Sequence, residues 1–455
     1  MKLYYHYFLV GVGLLTGCNS FLDKKSDIHM TIPKSLDDAK LLLNDYTNLT
    51  GGFPIYGELG TDDYYVTDAT WNAASSLDQR NAYIWADEPY TDAIQWQRPY
   101  KAVYVANQVL DILKGINAAD NMEEYARCKG AAHFIRVIRA YSFHLLTELH
   151  CPAYTINSAP NDFGIPLRLE SGIDGKSNRA NLKDTYDQII SDFKSAASNL
   201  PIVESVKGRP FKASAYAGLA RAYLDMGDFD NAYLYADSCL RLRPELIDFN
   251  SLKATDALPI PKFNIEVLYS SLSTTLGIMG ANFALMDKDL YSSYHTNDLR
   301  KGIFFKATNN PPNSFLFKGS YDKSSANIFM GLTTSEVYLI KAEAACRIRH
   351  IKEALVCINK LLKNRWNKNA TSEEITENDP DKLLALIVNE RRKELLFRGR
   401  RWADLKRLNL DPRFQKTLIR TLGEEKYSLA PNSPKYAYRL SETVIDLAGL
   451  PQNKR

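Results

Sequence analysis

The stretch Ala213–Pro244, ASAYAGLARAYLDMGDFDNAYLYADSCLRLRP, constrains this chain more than any other. Counted from Ala213, large residues fall at Tyr216, Leu219 and Tyr223, small ones at Ala220, Ala232 and Ala236, and Pro244 closes the unit. This is the size pattern of a tetratricopeptide helix pair, whose period is roughly 34 residues. Two antiparallel helices approach closely only where small residues face each other, and the tyrosines then fill the gaps between layers. MGDF at Met226–Phe229 supplies the turn.

The same frame returns in SEVYLIKAEAACRIRHIKEALVCINKLL, with Tyr338, Ala342, Ala345, Ala354, Ile358 and Leu361 at corresponding positions. Two copies cannot bury their faces alone, so more helix pairs are required. Helical periodicity places them at residues 100–116 with 125–149, at 182–200 and at 383–408. The expected fold is mostly α: a tetratricopeptide-like helical repeat core with long loop-rich excursions.

Two stretches lack helical periodicity, residues 46–96 and 250–332, both rich in Gly, Asp, Asn and aromatic residues. Excursions of this length usually carry function. Sugars present apolar C–H faces rimmed by hydroxyls, so a binding platform needs flat exposed rings beside Asp, Asn, Gln or Arg. DDYYVTDATWN and QRNAYIW offer that mixture, which makes Tyr64, Tyr65, Trp71, Tyr83 and Trp85 ligand-binding candidates, with Tyr294 in the second excursion. The alternative role for each ring is to pin its loop to the helices.

The N-terminus, MKLYYHYFLVGVGLLTGC, has Lys2, an apolar run from Phe8 to Leu15, and small residues before Cys18. A run this short cannot span a bilayer, which takes about 20 apolar residues, so residues 1–17 are expected to be a cleaved export signal. LTGC resembles a lipoprotein processing site, in which Cys18 receives diacylglycerol and then an N-linked acyl chain such as palmitate. Several buried chains, at about 0.8 kcal/mol per methylene, make a permanent anchor.

Between Glu390 and Arg407 eight Lys or Arg residues face three acids, a net of +5 in a chain whose total is +4. The remainder is close to neutral, so no overall field favours a polyanion. Along this helix Glu390, Arg391 and Glu394 are spaced to pair, while Leu395, Phe397, Trp402 and Leu405 are expected inward. Arg391, Glu394 and Trp402 are therefore read as structural, and no nucleic-acid partner is expected.

The motifs of common catalysts are absent: no HExxH, no GxSxG and no phosphate-binding glycine loop followed by Lys-Ser/Thr. Asp62 and Asp63 could suggest glycoside hydrolysis, but adjacency in a loop is weak evidence for two acids on opposite sides of a bond. His133, His144 and His150 lie along one predicted helix and are expected to be structural. Cys128, Cys151, Cys239, Cys346 and Cys357 have no metal-ligand spacing. The sequence thus implies no enzyme, cofactor or metal.

Taken in order, CNSFLD, WQRPYKAVYVANQVL, AAHFIRVIRAYSFHLLTEL, GIPL, the 213–244 unit, NDLR, SEVYLIKAEA and NERRKELLFRGRRWADLKRL resemble the SusD/RagB family. These are surface lipoproteins that partner TonB-dependent outer-membrane transporters. The resemblance runs from Cys18 nearly to the end and implies an N-terminal region 18–245 and a C-terminal region 246–455. It implies a non-enzymatic protein, lipid-anchored at the outer membrane and facing the cell exterior, that binds an oligosaccharide, with a peptide as the alternative, and passes it to a SusC-like transporter; the rival reading is a lipoprotein scaffold on the periplasmic side that uses its repeats to hold peptide segments. The interface to that barrel should bury well over about 1,000 Å². One departure is Arg398, where relatives often carry an acid before the glycine.

Overall fold

A computed structural model describes residues 33–455 apart from 88–89, 117–121, 173–174, 176, 275–276 and 372–373; Cys18 and the export signal lie outside the described residues. The backbone of the body is a run of long helices: α1 Ile94–Lys114, α2 Met122–His150, α3 Leu182–Asn199, α4 Lys212–Met226, α5 Phe229–Leu242, α6 Thr334–Arg347, α7 Ile351–Lys363, α8 Pro380–Glu394 and α9 Arg401–Leu408. From α1 to α7 each packs against the next, and α8 lies on α6. No helix among the described residues is long and apolar enough to cross a membrane.

The repeat positions explain the stacking. Leu219, Ala220, Ala232 and Ala236 are fully buried between α4 and α5, as are Ala342, Ala345, Ala354, Ile358 and Leu361 between α6 and α7. Gly227 ends α4 with φ 75°, a left-handed cap that glycine adopts without a Cβ penalty. Asp228 then caps α5 by accepting from the Asn231 amide. At Gly218 the ring of Phe193 lies where a side chain would stand, so α3 and α4 approach more closely than alanine would allow.

Each excursion forms short elements rather than an open loop. The first contains helices Tyr46–Thr50, Tyr56–Leu59, Asp68–Ala73 and Leu77–Tyr83 with strand β1, Tyr64–Tyr65. The second supplies β2 Leu285–Met286, β3 Phe305–Thr308 and β4 Ser314–Phe317. These strands join in one sheet of order β1-β2-β4-β3, with Tyr64 opposite Met286 and Leu285 opposite Leu316. Two segments more than 200 residues apart in sequence are thereby stitched together. Strands of two to four residues are too short to show a period of two, so sequence patterning misses them.

The arginine-rich segment breaks at 395–400, where Phe397 (φ 50°) and Gly399 (φ 69°) turn the chain between α8 and α9. Leu395, Phe397, Trp402 and Leu405 are buried. Its charges, however, pair mainly between elements and not along the helix. Arg391 donates to Asp404 at 2.9 Å, and Glu394 accepts from Arg365 at 2.8 Å and Arg300 at 3.3 Å. Arg400 binds Glu148 at 2.5 Å and Asp225 at 3.2 Å, and Arg407 binds Glu343 at 2.6 Å. None of the eight basic residues is exposed. The local excess of charge is met by acids drawn from α2, α4, α6 and the first excursion, which leaves no basic surface here for a nucleic acid.

Lys406 has a different task. It is buried at the end of α2 and donates to the Glu148 carbonyl at 2.8 Å and to that of Cys151, supplying positive charge where the helix dipole is negative. Burial pushes its ammonium down to about 8.

Candidate functional site

The aromatic candidates separate into two groups. Tyr64, Tyr83 and Trp85 are 1 to 3% exposed, and their rings surround the guanidinium of Arg420, 3.8 Å from the Tyr83 centroid, 5.1 Å from Tyr64 and 5.6 Å from Trp85. Arg420 donates to the carbonyls of Leu59, Thr61 and Tyr64. The Tyr83 hydroxyl accepts from the Val66 amide, and Trp85 Nε1 donates to the Gly60 carbonyl. What reads as a sugar platform is, for these three rings, a cage around the chain's own cation. Tyr294 is likewise internal: it is buried, its hydroxyl donates to the Lys393 carbonyl at 2.7 Å, and Arg300 and Lys393 approach its ring. These four rings offer no face to a ligand.

Tyr65 and Trp71 remain half-buried. The Tyr65 hydroxyl shares a hydrogen bond with Ser314 at 3.0 Å, and Arg80 lies 5.6 Å from the Trp71 ring. Neither lines the open groove described next. Asp62 and Asp63 do not form a free carboxylate pair: Arg401 holds Asp62 at 2.7 Å and Arg392 holds Asp63 at 2.7 Å.

A groove of about 310 Å³ lies where the two excursions meet the start of α1. Its walls include Tyr46, Thr47 and Thr50 from the first excursion, Gln95 and Arg98 from α1, and Ser273, Thr274 and Asn327 from the second. The last three sit on an antiparallel pair, Leu272–Thr274 against Asn327–Phe329. Gln95 Oε1 accepts from the amides of Ile55 and Tyr56, which fixes the carboxamide and directs Nε2 elsewhere. Ser273 donates to the Phe53 carbonyl at 2.6 Å and Thr50 to that of Tyr46 at 2.8 Å, so both hydroxyl oxygens keep acceptor capacity. Arg98 is exposed and makes no hydrogen bond or ion pair among the described residues. Tyr46, 38% exposed, presents a ring whose hydroxyl is fixed by Ser270 at 3.0 Å. Rigid polar groups, one exposed ring and an uncommitted guanidinium thus face one groove.

Sequence reasoning passed over Tyr46 and Arg98. The available signal was the pair Gly51–Gly52: Gly52 has φ 74° and gives way to the aliphatic stem of Arg98.

Residues 20–224 match a family model described as SusD-like, starch-binding and associating with outer membrane, and residues 288–443 match that of the SusD family. This chain belongs to the SusD/RagB family. A SusD-like protein of Formosa agariphila is 24% identical over 387 residues, covering 72% of this chain and 74% of that one. A SusD superfamily crystal structure from Bacteroides thetaiotaomicron matches with TM-score 0.75 and 21% identity, over 92% of this chain and all of that one. Surface glycan-binding protein A from Bacteroides uniformis matches with TM-score 0.64 and 15% identity, over 92% and 98%.

Two buried clusters in this SusD/RagB-family chain invite a chemical reading. In the first, ligand atoms of His144, Glu148 and Asp225 all lie within 4.8 Å of one another, a spacing that could hold a metal. The cation present is Arg400, bound to both acids, while His144 Nε2 sits 3.0 Å from Asp225. Burial opposes ionisation of Asp225, but Arg400 and His144 hold its carboxyl well below the usual range. The cluster is an ionic joint between α2, α4 and α9. Nearby, burial pushes His150 down to about 3, so its neutral ring donates from Nδ1 to the Tyr438 carbonyl.

In the second, Glu58 is buried beside Gly57, Trp402 and Gly399, and neither carboxylate oxygen has hydrogen-bond geometry to a partner. Burial, and then the neighbouring Asp63, push it up to about 8, with Arg400, the Gly399 backbone and Arg401 offsetting only part. The fold therefore prefers protonated Glu58. Its contribution is fully present below about pH 4.5 and is lost as pH rises through about 8. Thermal melts across this range should show Glu58→Gln gaining on the wild type with rising pH, and parallel curves would refute the assignment.

Proposed function

We propose that this chain is a non-enzymatic nutrient-binding lipoprotein, anchored through Cys18 to the outer membrane and facing the exterior, which captures an oligosaccharide in the Tyr46–Arg98 groove and delivers it to a TonB-dependent transporter of the SusC kind. The observation that carries this is the groove itself: preorganised hydroxyls and amides, an exposed ring and an unpaired guanidinium, on a chain of this family. The likeness to surface glycan-binding protein A supports the ligand class. The carboxylates that could have suggested hydrolysis are committed to arginines.

In this mechanism Tyr46 stacks on a sugar face while Arg98, Gln95 and Asn327 exchange hydrogen bonds with water for bonds with ring hydroxyls. Asn327 Nδ2 is already given to Asp322, so its carbonyl oxygen faces the ligand as acceptor. Capture needs no movement of the helical body, and uptake against a gradient is the barrel's task. The half-buried Tyr65 and Trp71 extend the ligand face for longer chains.

Calorimetric titration with oligosaccharides, and with peptides of similar length, tests this. Arg98→Ala is expected to weaken saccharide binding about tenfold, equivalent to about 1.4 kcal/mol, with an unchanged melting temperature because the side chain is exposed. Unchanged affinity would remove the groove from the account, and saturable peptide binding without saccharide binding would establish the peptide alternative. Trp71→Ala in the same series measures how far the face reaches.

A further inference from the structure

Beyond Asn327 the groove's wall is shared with a second cavity of about 230 Å³ whose chemistry is different. Phe317, Phe329, Phe397, Met279 and Ile328 give it an apolar lining, and Lys306 and Lys318 belong to the same wall. Cavities lined in this way favour apolar groups, and one of about 150 Å³ already accommodates benzene.

Lys318 makes the cavity selective. It is 9% exposed, and its ammonium donates to two main-chain carbonyls, those of Ala254 and of Asp256 at 3.2 Å. Among the described residues it has no carboxylate in ion-pair contact. Lys306 adds a second positive charge, its own ammonium making one long contact of 3.5 Å to Asn282. The exposed carboxylate of Asp256 acts on Lys318 from beyond ion-pair distance, and Asp322, bonded to Asn327, is paired with Lys262 at 2.7 Å. Burial opposes the charge on Lys318 and Asp256 offsets this only in part, so a ligand anion would relieve the remaining cost while the rings receive its apolar body.

We infer that this chamber binds a small aromatic or branched apolar carboxylate, with the carboxylate at Lys318 and the apolar body against Phe317, Phe329 and Met279. The inference does not rest on the saccharide reading of the groove. Because the two spaces adjoin at Asn327, a saccharide bearing such an acid as a substituent could occupy both.

The test uses the mature chain and two probes of nearly equal shape, 3-phenylpropionate and its methyl ester, in calorimetric titrations. The acid should bind saturably at millimolar concentration or below, about tenfold tighter than the ester, as expected for one charge-assisted contact. Lys318→Met should abolish that preference. Ala257→Trp, at an exposed wall position, should weaken both probes without altering the melting temperature. Absence of saturable binding, equal affinity for acid and ester in the wild type, a preference that survives Lys318→Met, or wild-type binding by Ala257→Trp would each overturn the inference. Oligosaccharide titration of the same samples reads the groove separately, so either site can fail alone.

Discussion

Arg400→Met is expected to destabilise the chain by about 3 to 5 kcal/mol, the cost of breaking a buried ion pair by removing one partner. Arg400 joins Glu148, Asp225 and Glu336, at 2.5, 3.2 and 3.6 Å, so its loss takes a charge partner from acids on three different helices and leaves Glu148 and Asp225 to share His144. Desolvation opposes the charged form of Glu336, and Arg221, Arg400 and Arg391 together hold it down at about 2. Urea unfolding of the wild type, Arg400→Met and a triple variant that adds Glu148→Gln and Asp225→Asn checks this. The triple variant should recover a large part of the loss, because two stranded charges are then gone. A single-variant effect under about 1 kcal/mol would show that the pair is solvated and that the helical body is held by its apolar contacts alone.

The second large effect is expected at Arg420. Removing its guanidinium takes the Arg420 donor from the carbonyls of Thr61 and Tyr64, leaves Leu59 with the Tyr64 hydroxyl alone, and empties the cage of Tyr64, Tyr83 and Trp85. Unsatisfied buried acceptors cost about 1 to 3 kcal/mol each in the worst case, and a desolvated cation–π contact is worth about 2. Relaxation will recover part, so Arg420→Met should lose about 3 to 5 kcal/mol. The loss should be local first: amide exchange should accelerate across residues 59–85 before it does in α4 to α7. Uniform acceleration throughout the chain, or none, would contradict the cage as the element that fixes the first excursion.

These two arginines show what a sequence can and cannot disclose here. The helical repeat was legible because alanines must face each other at fixed spacing, and the constraint is local. The inward course of Phe397 and Trp402 was legible for the same reason. The partners of the arginines were not, since Glu148, Asp225 and Glu336 are brought to Arg400, and the carbonyls of Leu59, Thr61 and Tyr64 to Arg420, by tertiary packing alone.

The aromatic candidates failed in an instructive way. A loop rich in Tyr, Trp, Asp and Asn has the composition of a sugar platform and equally that of a cage awaiting a cation. Arg420, more than 300 residues downstream, decides between them for Tyr64, Tyr83 and Trp85. Tyr46 and Arg98 went unnoticed because Tyr46 opens a helix of five residues, too short to show a period, and Arg98 lies in the first turns of α1, ahead of the periodic stretch. Their meeting depends on Gly52 and on strands too short to carry a period.

Recovery of the full-length chain from outer membranes in mild detergent, after protease treatment of intact cells or without it, tests the proposed anchoring, orientation and delivery most directly. The untreated chain should be recovered in near-equal amount with a TonB-dependent barrel, and protease should reach it on intact cells. A chain that purifies alone and is cleaved only after the outer membrane is opened would contradict the proposal, and would favour a scaffold on the periplasmic side.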